Sequence, residues 1–305
     1  MSIHLSIQFN IMNSDPVLGI IRSSSKALSV TSKNFTELRN QITDIHNERL
    51  VLQQKLNSEK SKLTLLNILH LTSLFFIFGF FYRKISIKRT AQIDIVKNLK
   101  EELNSAFVNL TFADKSQLEK SWLNCIDAFT ELIKSEKVWD LTFAENTDSI
   151  RQRTIAKTSL KRSTIDYKRK EIEFIKSDLD YLFLPNTNGP DIYIYPTFLI
   201  FYKDREDFGI FDLKDINAVF EASSYIEEEE VPKDTETISH TWKKSNKDGS
   251  MDKRYKGNYQ IPVVKYGQVL FETDSGLQEC FMFSNYEAVV EFSNSYHHHI
   301  KQINP

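Results

Sequence analysis

The amino-acid sequence predicts an α+β membrane protein with one transmembrane helix and a C-terminal β-rich domain. Three observations carry that expectation. Leu63 to Tyr82 is a run of twenty residues without a charge. Apolar residues on either side of it recur at three- and four-residue steps, the period of a helix. From about Val138 onward, β-branched and aromatic residues collect in short runs of strand type. The expected organisation is 1–32, an N-terminal strand and linker; 33–62, an amphipathic or coiled-coil helix; 63–82, the transmembrane helix; 83–136, two amphipathic helices; and 137–305, the β-rich domain.

Composition bounds the function classes. The 305 residues carry 39 Lys and Arg against 41 Asp and Glu, a net charge of −2. That excludes a chain-wide polycation but not a local basic patch. With 41% apolar and 26% charged residues the chain has the make-up of a folded protein. Eight glycines and seven prolines are too few for collagen-like or low-complexity structure, and they disfavour glycine-rich phosphate loops. Cys125 and Cys280 cannot build a disulfide framework or a cysteine-rich zinc site, which points to a reducing compartment.

Element by element, Ile3, Leu5, Ile7, Phe9 and Ile11 alternate as in a half-buried strand, which Asn13 to Pro16 ends. Phe35, Leu38, Ile42, Ile45, Leu52 and Leu56 then form a heptad-like seam with Arg49 at one position. The seam serves an intermolecular coiled coil or packing on the same chain. Its register continues through Leu63, Leu66 and His70. At about 1.5 Å per residue, the uncharged run matches the roughly 30 Å hydrocarbon core of a bilayer. Lys60 and Lys62 precede it, Arg83 and Lys84 follow it, and Tyr82 stands where an interfacial aromatic belongs. Asn67 and His70 inside the run are candidate transmembrane-association residues, because polar groups in lipid seek a partner helix. The cations count four before the run and five after it, a lean toward a cytoplasmic C-terminal domain.

Beyond the run, Val96, Leu99, Leu103, Phe107 and Leu110 make one helical stripe and Leu118, Trp122, Ile126, Phe129 and Ile133 a second. Together they suggest an antiparallel pair restarted near Asp114 and Ser116. Strands are expected at Asp191–Tyr202, Phe208–Leu213, Thr237–Trp242, Ile261–Lys265, Gln268–Thr273 and Glu279–Phe283. A closing helix follows, with Ser284 and Glu287 at capping-box spacing and Val289, Phe292, Tyr296 and Ile300 on its buried face. Antiparallel strands finished by one helix suggest a small barrel of the pleckstrin-homology type.

The region from Trp139 onward resembles a C-terminal domain shared by many uncharacterised bacterial proteins. The residues that carry the resemblance are Phe183-Leu184-Pro185, Tyr225 to Asp234, His240-Thr241-Trp242, Asn246 to Gly249, Asp252 to Tyr255, Asn258, Gln260 to Val263 and Ser275-Gly276-Leu277. Ser250, Met251 and Asn186 depart from that pattern. The resemblance implies a sensing or binding module rather than a fixed chemistry. With a transmembrane helix attached, the architecture is also similar to small membrane proteins of bacterial antiphage systems, including retron-associated ones.

No nucleophile-elbow, Walker or dinucleotide motif is present, so no catalytic residue is assigned. His297, His298 and His299 look like a metal tract, yet consecutive helical residues point about 100° apart, and a solvated helix end is the simpler reading. His240, Asp248, Asp252 and Lys253 read as a structured loop whose aspartates bond the backbone rather than as a nuclease centre. No metal or cofactor is expected. Two basic tracts remain, one from Arg151 to Lys170 and one from Lys243 to Lys256. Lys161, Arg162, Lys168, Arg169, Lys243, Lys244, Lys253 and Arg254 are candidate anionic-ligand residues, for lipid or nucleic acid, or else a solvated face balanced by Glu227 to Glu230.

The resulting expectation is a non-enzymatic, membrane-anchored bacterial effector at the inner membrane, working by helix oligomerisation in antiphage defence. Its partners would be the lipid bilayer, further copies of itself and a protein from a neighbouring gene. The alternatives are a membrane-tethered binding or signalling adaptor that reads lipid or a protein, and a membrane-associated nuclease.

Overall fold

The computed structural model describes residues 35–75, 79–112, 115–146, 158–187, 189–274 and 278–303. The expected strand over Ile3 to Ile11 and the restart at Asp114 lie outside them.

Helix α1 runs unbroken from Thr36 to Phe75, and α2 runs back from Gly79 to Ser105. The two lie antiparallel as a hairpin. Leu56, Val96 and Leu99 are buried between them, with Leu52, Leu63 and Leu103 packed around. Polar contacts repeat the pairing outward: Gln92 Nε2 donates to the Glu59 carbonyl (3.1 Å) and carboxylate (2.6 Å), and Arg89 Nε donates to Asn67 Oδ1 (2.6 Å). At the base, Arg49 donates to the Leu103 and Ala106 carbonyls (2.6 and 3.1 Å), which the end of α2 leaves unpaired, and to Glu173 (3.2 Å).

This hairpin overturns the membrane reading. Residues 63–75 of the uncharged run belong to α1 and residues 79–82 to α2, two helices of opposite direction. Among the described residues no helix is long and apolar enough to cross a membrane. The transmembrane helix, the membrane fold class and the inner-membrane location are therefore withdrawn. A count of uncharged residues measures length without direction, so it cannot tell one helix from parts of two that run opposite ways. The heptad seam is buried within the same chain: Phe35, Leu38, Ile42 and Ile45 pack on the main core, and Leu52 and Leu56 on α2.

The helical stripe from Val96 to Leu110 is also shorter than its spacing suggests. After Ser105, residues Val108–Leu110 form strand β1, which pairs in parallel with β4 (Ile175–Ser177). Helix α3 spans Lys115–Leu132 and packs not on α2 but on the C-terminal helix α4, Tyr286–Ile303. The cap of α4 is Asn285, whose Oδ1 accepts from the Ala288 N–H (3.1 Å), one residue beyond Ser284.

Among the described residues the strands form three sheets rather than one small barrel. A four-stranded antiparallel meander contains β5 (Leu182–Leu184), β6 (Asp191–Ile194), β7 (Phe198–Tyr202) and β8 (Phe208–Asp212). The expected Asp191–Tyr202 strand is thus two, separated at Tyr195–Thr197. The larger sheet contains β2 (Val138–Asn146), β3 (Thr158–Thr164), β9 (Ile216–Ile226), β10 (Glu236–Trp242), β11 (Gln260–Thr273) and β12 (Gln278–Phe283). Its order is β10-β11-β12-β2-β3, with β9 also on β11. Two expected strands merge into β11, whose flank passes from β10 to β12 along its length.

Alternation along these strands fills two cores. Val269, Phe271, Phe281 and Phe283 point into the main core, with α3, α4 and the meander. Trp139, Leu141, Val264, Tyr266, Cys280 and Met282 fill a second cluster on the opposite face. Gly267 lies where α4 crosses β11. A Cβ there would stand 2.4 and 2.7 Å from the Val289 side chain, closer than carbon atoms tolerate, so only glycine fits.

Candidate functional site

The residues singled out by sequence fall in three places. Asn67 lies at the exposed edge of the hairpin, and His70 is half-buried. Asn67 accepts from Arg89, and the His70 ring lies 4.8 Å from that of Tyr82. Both are spent within the chain, so the transmembrane-association role goes with the span that required it.

The outer face of the same helix is different. Leu65, Ile68, Leu69 and Leu71 are between 43% and 59% exposed. At 100° per residue they occupy less than half of the circumference of α1. No charge occurs in α1 from Leu63 to Phe75, so the arc, which also carries the exposed Thr64 and Thr72, is electrically neutral and mainly apolar.

The first basic tract divides by strand period. Lys161 and Arg162 are neighbours on β3, and adjacent strand residues point to opposite faces. Lys161 is exposed. The Arg162 side chain is 10% exposed and lies between the rings of Trp139 (4.5 Å) and Tyr225 (4.3 Å). It donates to both oxygens of Glu227 (2.8 and 2.9 Å), a carboxylate that is itself 1% exposed. Tyr266 donates to the same carboxylate (2.6 Å), and the Glu229 N–H adds a third partner (3.0 Å). Burial pushes the Glu227 carboxyl up, but Arg162, Tyr266 and the Glu229 N–H outweigh it and hold the group below the usual carboxylate range. The pair joins β3 to the end of β9 over the second cluster. Farther along, Lys168 pairs with Asp166 (2.5 Å), Lys170 with Asp191 (2.8 Å) and Arg169 with Asp180 while lying over the Tyr181 ring.

The second tract forms the connection between β10 and β11. Lys243 pairs with Glu228, and Arg254 with Asp252 through two bonds (2.9 and 2.8 Å). Lys244 is half-buried, and its backbone is held by Asn258. Lys253 is exposed. Asp248 and Asp252 bond the loop, as their spacing suggests: Asp248 accepts from the N–H and hydroxyl of Ser250, and Asp252 from the Arg254 N–H.

Sequence missed His299 as a core residue. It is fully buried; its Nε2 lies 2.6 Å from the Pro196 carbonyl and its Nδ1 2.8 Å from Ser121 Oγ. The carbonyl can only accept, so Nε2 carries the proton, and Nδ1 of the neutral ring shares the Ser121 hydroxyl proton with the Leu118 carbonyl (3.0 Å). The signal was available, since His299 lies three residues after Tyr296 and seven after Phe292 on the buried face of α4. Among the described residues no three His, Cys, Asp or Glu side chains gather as metal ligands. Burial holds His299 below its ordinary 6.5, although the Pro196 contact opposes the shift. A depressed histidine contributes stability above its unfolded value and loses it as pH falls. The melting midpoint should therefore fall between about pH 7 and about pH 5. The His299→Gln chain should melt lower at neutral pH yet change less across that interval. A wild-type midpoint that stays level, or an equal slope in the variant, refutes this assignment.

Both thiols are buried. Burial pushes Cys125 up to about 12, and burial with Glu221, Asp140 and Glu279 nearby raises Cys280 as well, so neither is a ready nucleophile. No protein-family profile, curated protein or solved structure matches this chain.

Proposed function

We propose that this protein is a non-catalytic binding adaptor that assembles with a second copy of itself through the outer face of its helical hairpin. The observation that carries the reading is the neutral apolar arc of Leu65, Ile68, Leu69 and Leu71 on α1. The inner seam is already filled by α2, whereas the arc gathers four exposed apolar side chains within two turns of one helix and can still bury them. Its neutrality favours a copy of the same chain. Two such faces meet across a twofold axis without opposing like charges, and a charged partner would find nothing there to pair with.

Size-exclusion chromatography with light scattering tests the reading directly. The full chain should run as a dimer or larger assembly at micromolar concentration. Leu65→Gln, Ile68→Gln and Leu69→Gln combined should give a monomer with unchanged circular dichroism. Asn67→Leu, at the edge where α1 bonds Arg89 of α2, should leave the assembled mass intact. A full chain that stays monomeric, or a triple variant that keeps its mass, would sink the proposal.

A further inference from the structure

We propose that the connection between β10 and β11 is a binding site for single-stranded nucleic acid. Seventeen residues, Lys243 to Tyr259, separate the two strands. A loop of that length is normally variable, yet this one is held at many points by its own polar groups. The Asn246 N–H donates to the Ser250 carbonyl (2.9 Å), Asp252 N–H to Lys244 (3.1 Å), Tyr255 N–H to Asp252 (3.3 Å) and Asn258 N–H to Tyr255 (3.3 Å). Asn246 and Asn258 add side-chain bonds across the loop, and Gly249 and Gly257 supply the two left-handed turns, at φ +81° and +76°. The loop is a preformed surface.

What it displays is selected by that bonding. Of its two acids Asp252 is fully buried, while Asp248 is exposed and bonded to Ser250. Lys247, Lys253 and Lys256 remain exposed around it. With them stand two tyrosines, Tyr255 at 39% and Tyr259 at 57% exposed, high values for side chains of that size. Cations and exposed aromatic side chains on one surface are the arrangement that binds single strands, the ammonium groups tracking phosphates while bases stack on rings. A duplex keeps its base faces stacked and has no use for the tyrosines. The rigid scaffold matters because a site fixed beforehand loses little conformational entropy on binding.

Fluorescence anisotropy on the full chain, with a labelled oligothymidylate of about twenty nucleotides as probe, tests this. Binding should appear at low salt and weaken steeply as salt rises. Lys247→Ala, Lys253→Ala and Lys256→Ala combined should lower affinity at least about tenfold and reduce the slope of log affinity on log salt by about 2. Tyr259→Ala should lower affinity about tenfold with the slope unchanged, which separates stacking from charge. A duplex of equal length should bind more weakly, and the monomeric hairpin variant should bind as the parent does. These side chains are exposed, and an equal melting midpoint checks each fold. Absence of oligonucleotide binding overturns the proposal, as does indifference to the three lysine changes. Preference for phosphatidylserine vesicles over the oligonucleotide would assign the loop to lipid instead.

Discussion

A fragment beginning at Lys137 should fail to fold, although the composition of the sequence changes there. Ser121, Trp122, Cys125, Phe129 and Leu132 of α3 are all buried in the core that α4 closes. The Phe129 ring lies 5.5 Å from that of Phe292, and the Trp122 indole donates to the Asp180 carbonyl (2.7 Å) while its ring meets His299 at 5.0 Å. Strand β1 would be lost from β4 as well. Each large apolar side chain taken from the core forfeits about 1.5–3 kcal/mol, so the missing face is comparable to the whole 5–15 kcal/mol stability of an ordinary domain. The fragment should be insoluble or lack a cooperative melt, and one that begins at Ala106 should recover most of both. A soluble fragment from Lys137 that melts like the full chain would show that α3 is dispensable.

The second large effect belongs to Arg162 and Glu227. Removing either partner strands a desolvated charge, at a cost of about 3–5 kcal/mol. Arg162→Ala also empties the space between Trp139 and Tyr225. Glu227→Gln keeps shape and the Tyr266 contact but leaves the guanidinium without its buried counter-charge. Arg162→Met with Glu227→Leu should recover most of the loss, because apolar replacement removes both charges together. Because the folded carboxyl is depressed, its contribution is complete above the ordinary carboxylate range and fades as pH falls toward the folded value. Chemical denaturation across acid pH should show this decline in the parent and a shallower one in Glu227→Gln. Single variants as stable as the parent would mean that the pair does not hold β3 to β9.

These two cases mark what the residues alone reveal. The stripe of Leu118, Trp122 and Phe129 gave α3, and the capped stripe from Val289 to Tyr296 gave α4, because helical period is local. The Thr237–Trp242 and Glu279–Phe283 strands are found within a residue or so for the same reason. Strand β9 was illegible: Ile216 to Ile226 mixes alanine, serine and glutamate, and its strand character comes from pairing with β11. Val108–Leu110 reads as a continued helix until β4, sixty-odd residues away, claims it. The basic tract shows the same limit at the level of a site. A count of charges treats Lys161 and Arg162 alike, and only the sheet sends one to water and the other beneath two rings. Of the candidate site, the loop's internal aspartates were legible from spacing; the outer arc of α1 was not, because the uncharged run looked like a span.

The unbroken course of α1 makes the hairpin a counted device. Its base is fixed in the core by Ile42 and clamped by Arg49, and its arc begins at Leu65 with no joint between. Azimuth is then set by arithmetic. One residue inserted between Arg49 and Leu65 would advance the arc by about 1.5 Å and swing it by about 100° around the axis, turning Leu65 and Ile68 away from the direction they now face. An insertion of seven would lengthen the arm by roughly 10 Å and restore the direction to within about 20°. Arm length and heading are therefore separately adjustable by whole heptads, as in a screw whose pitch is known.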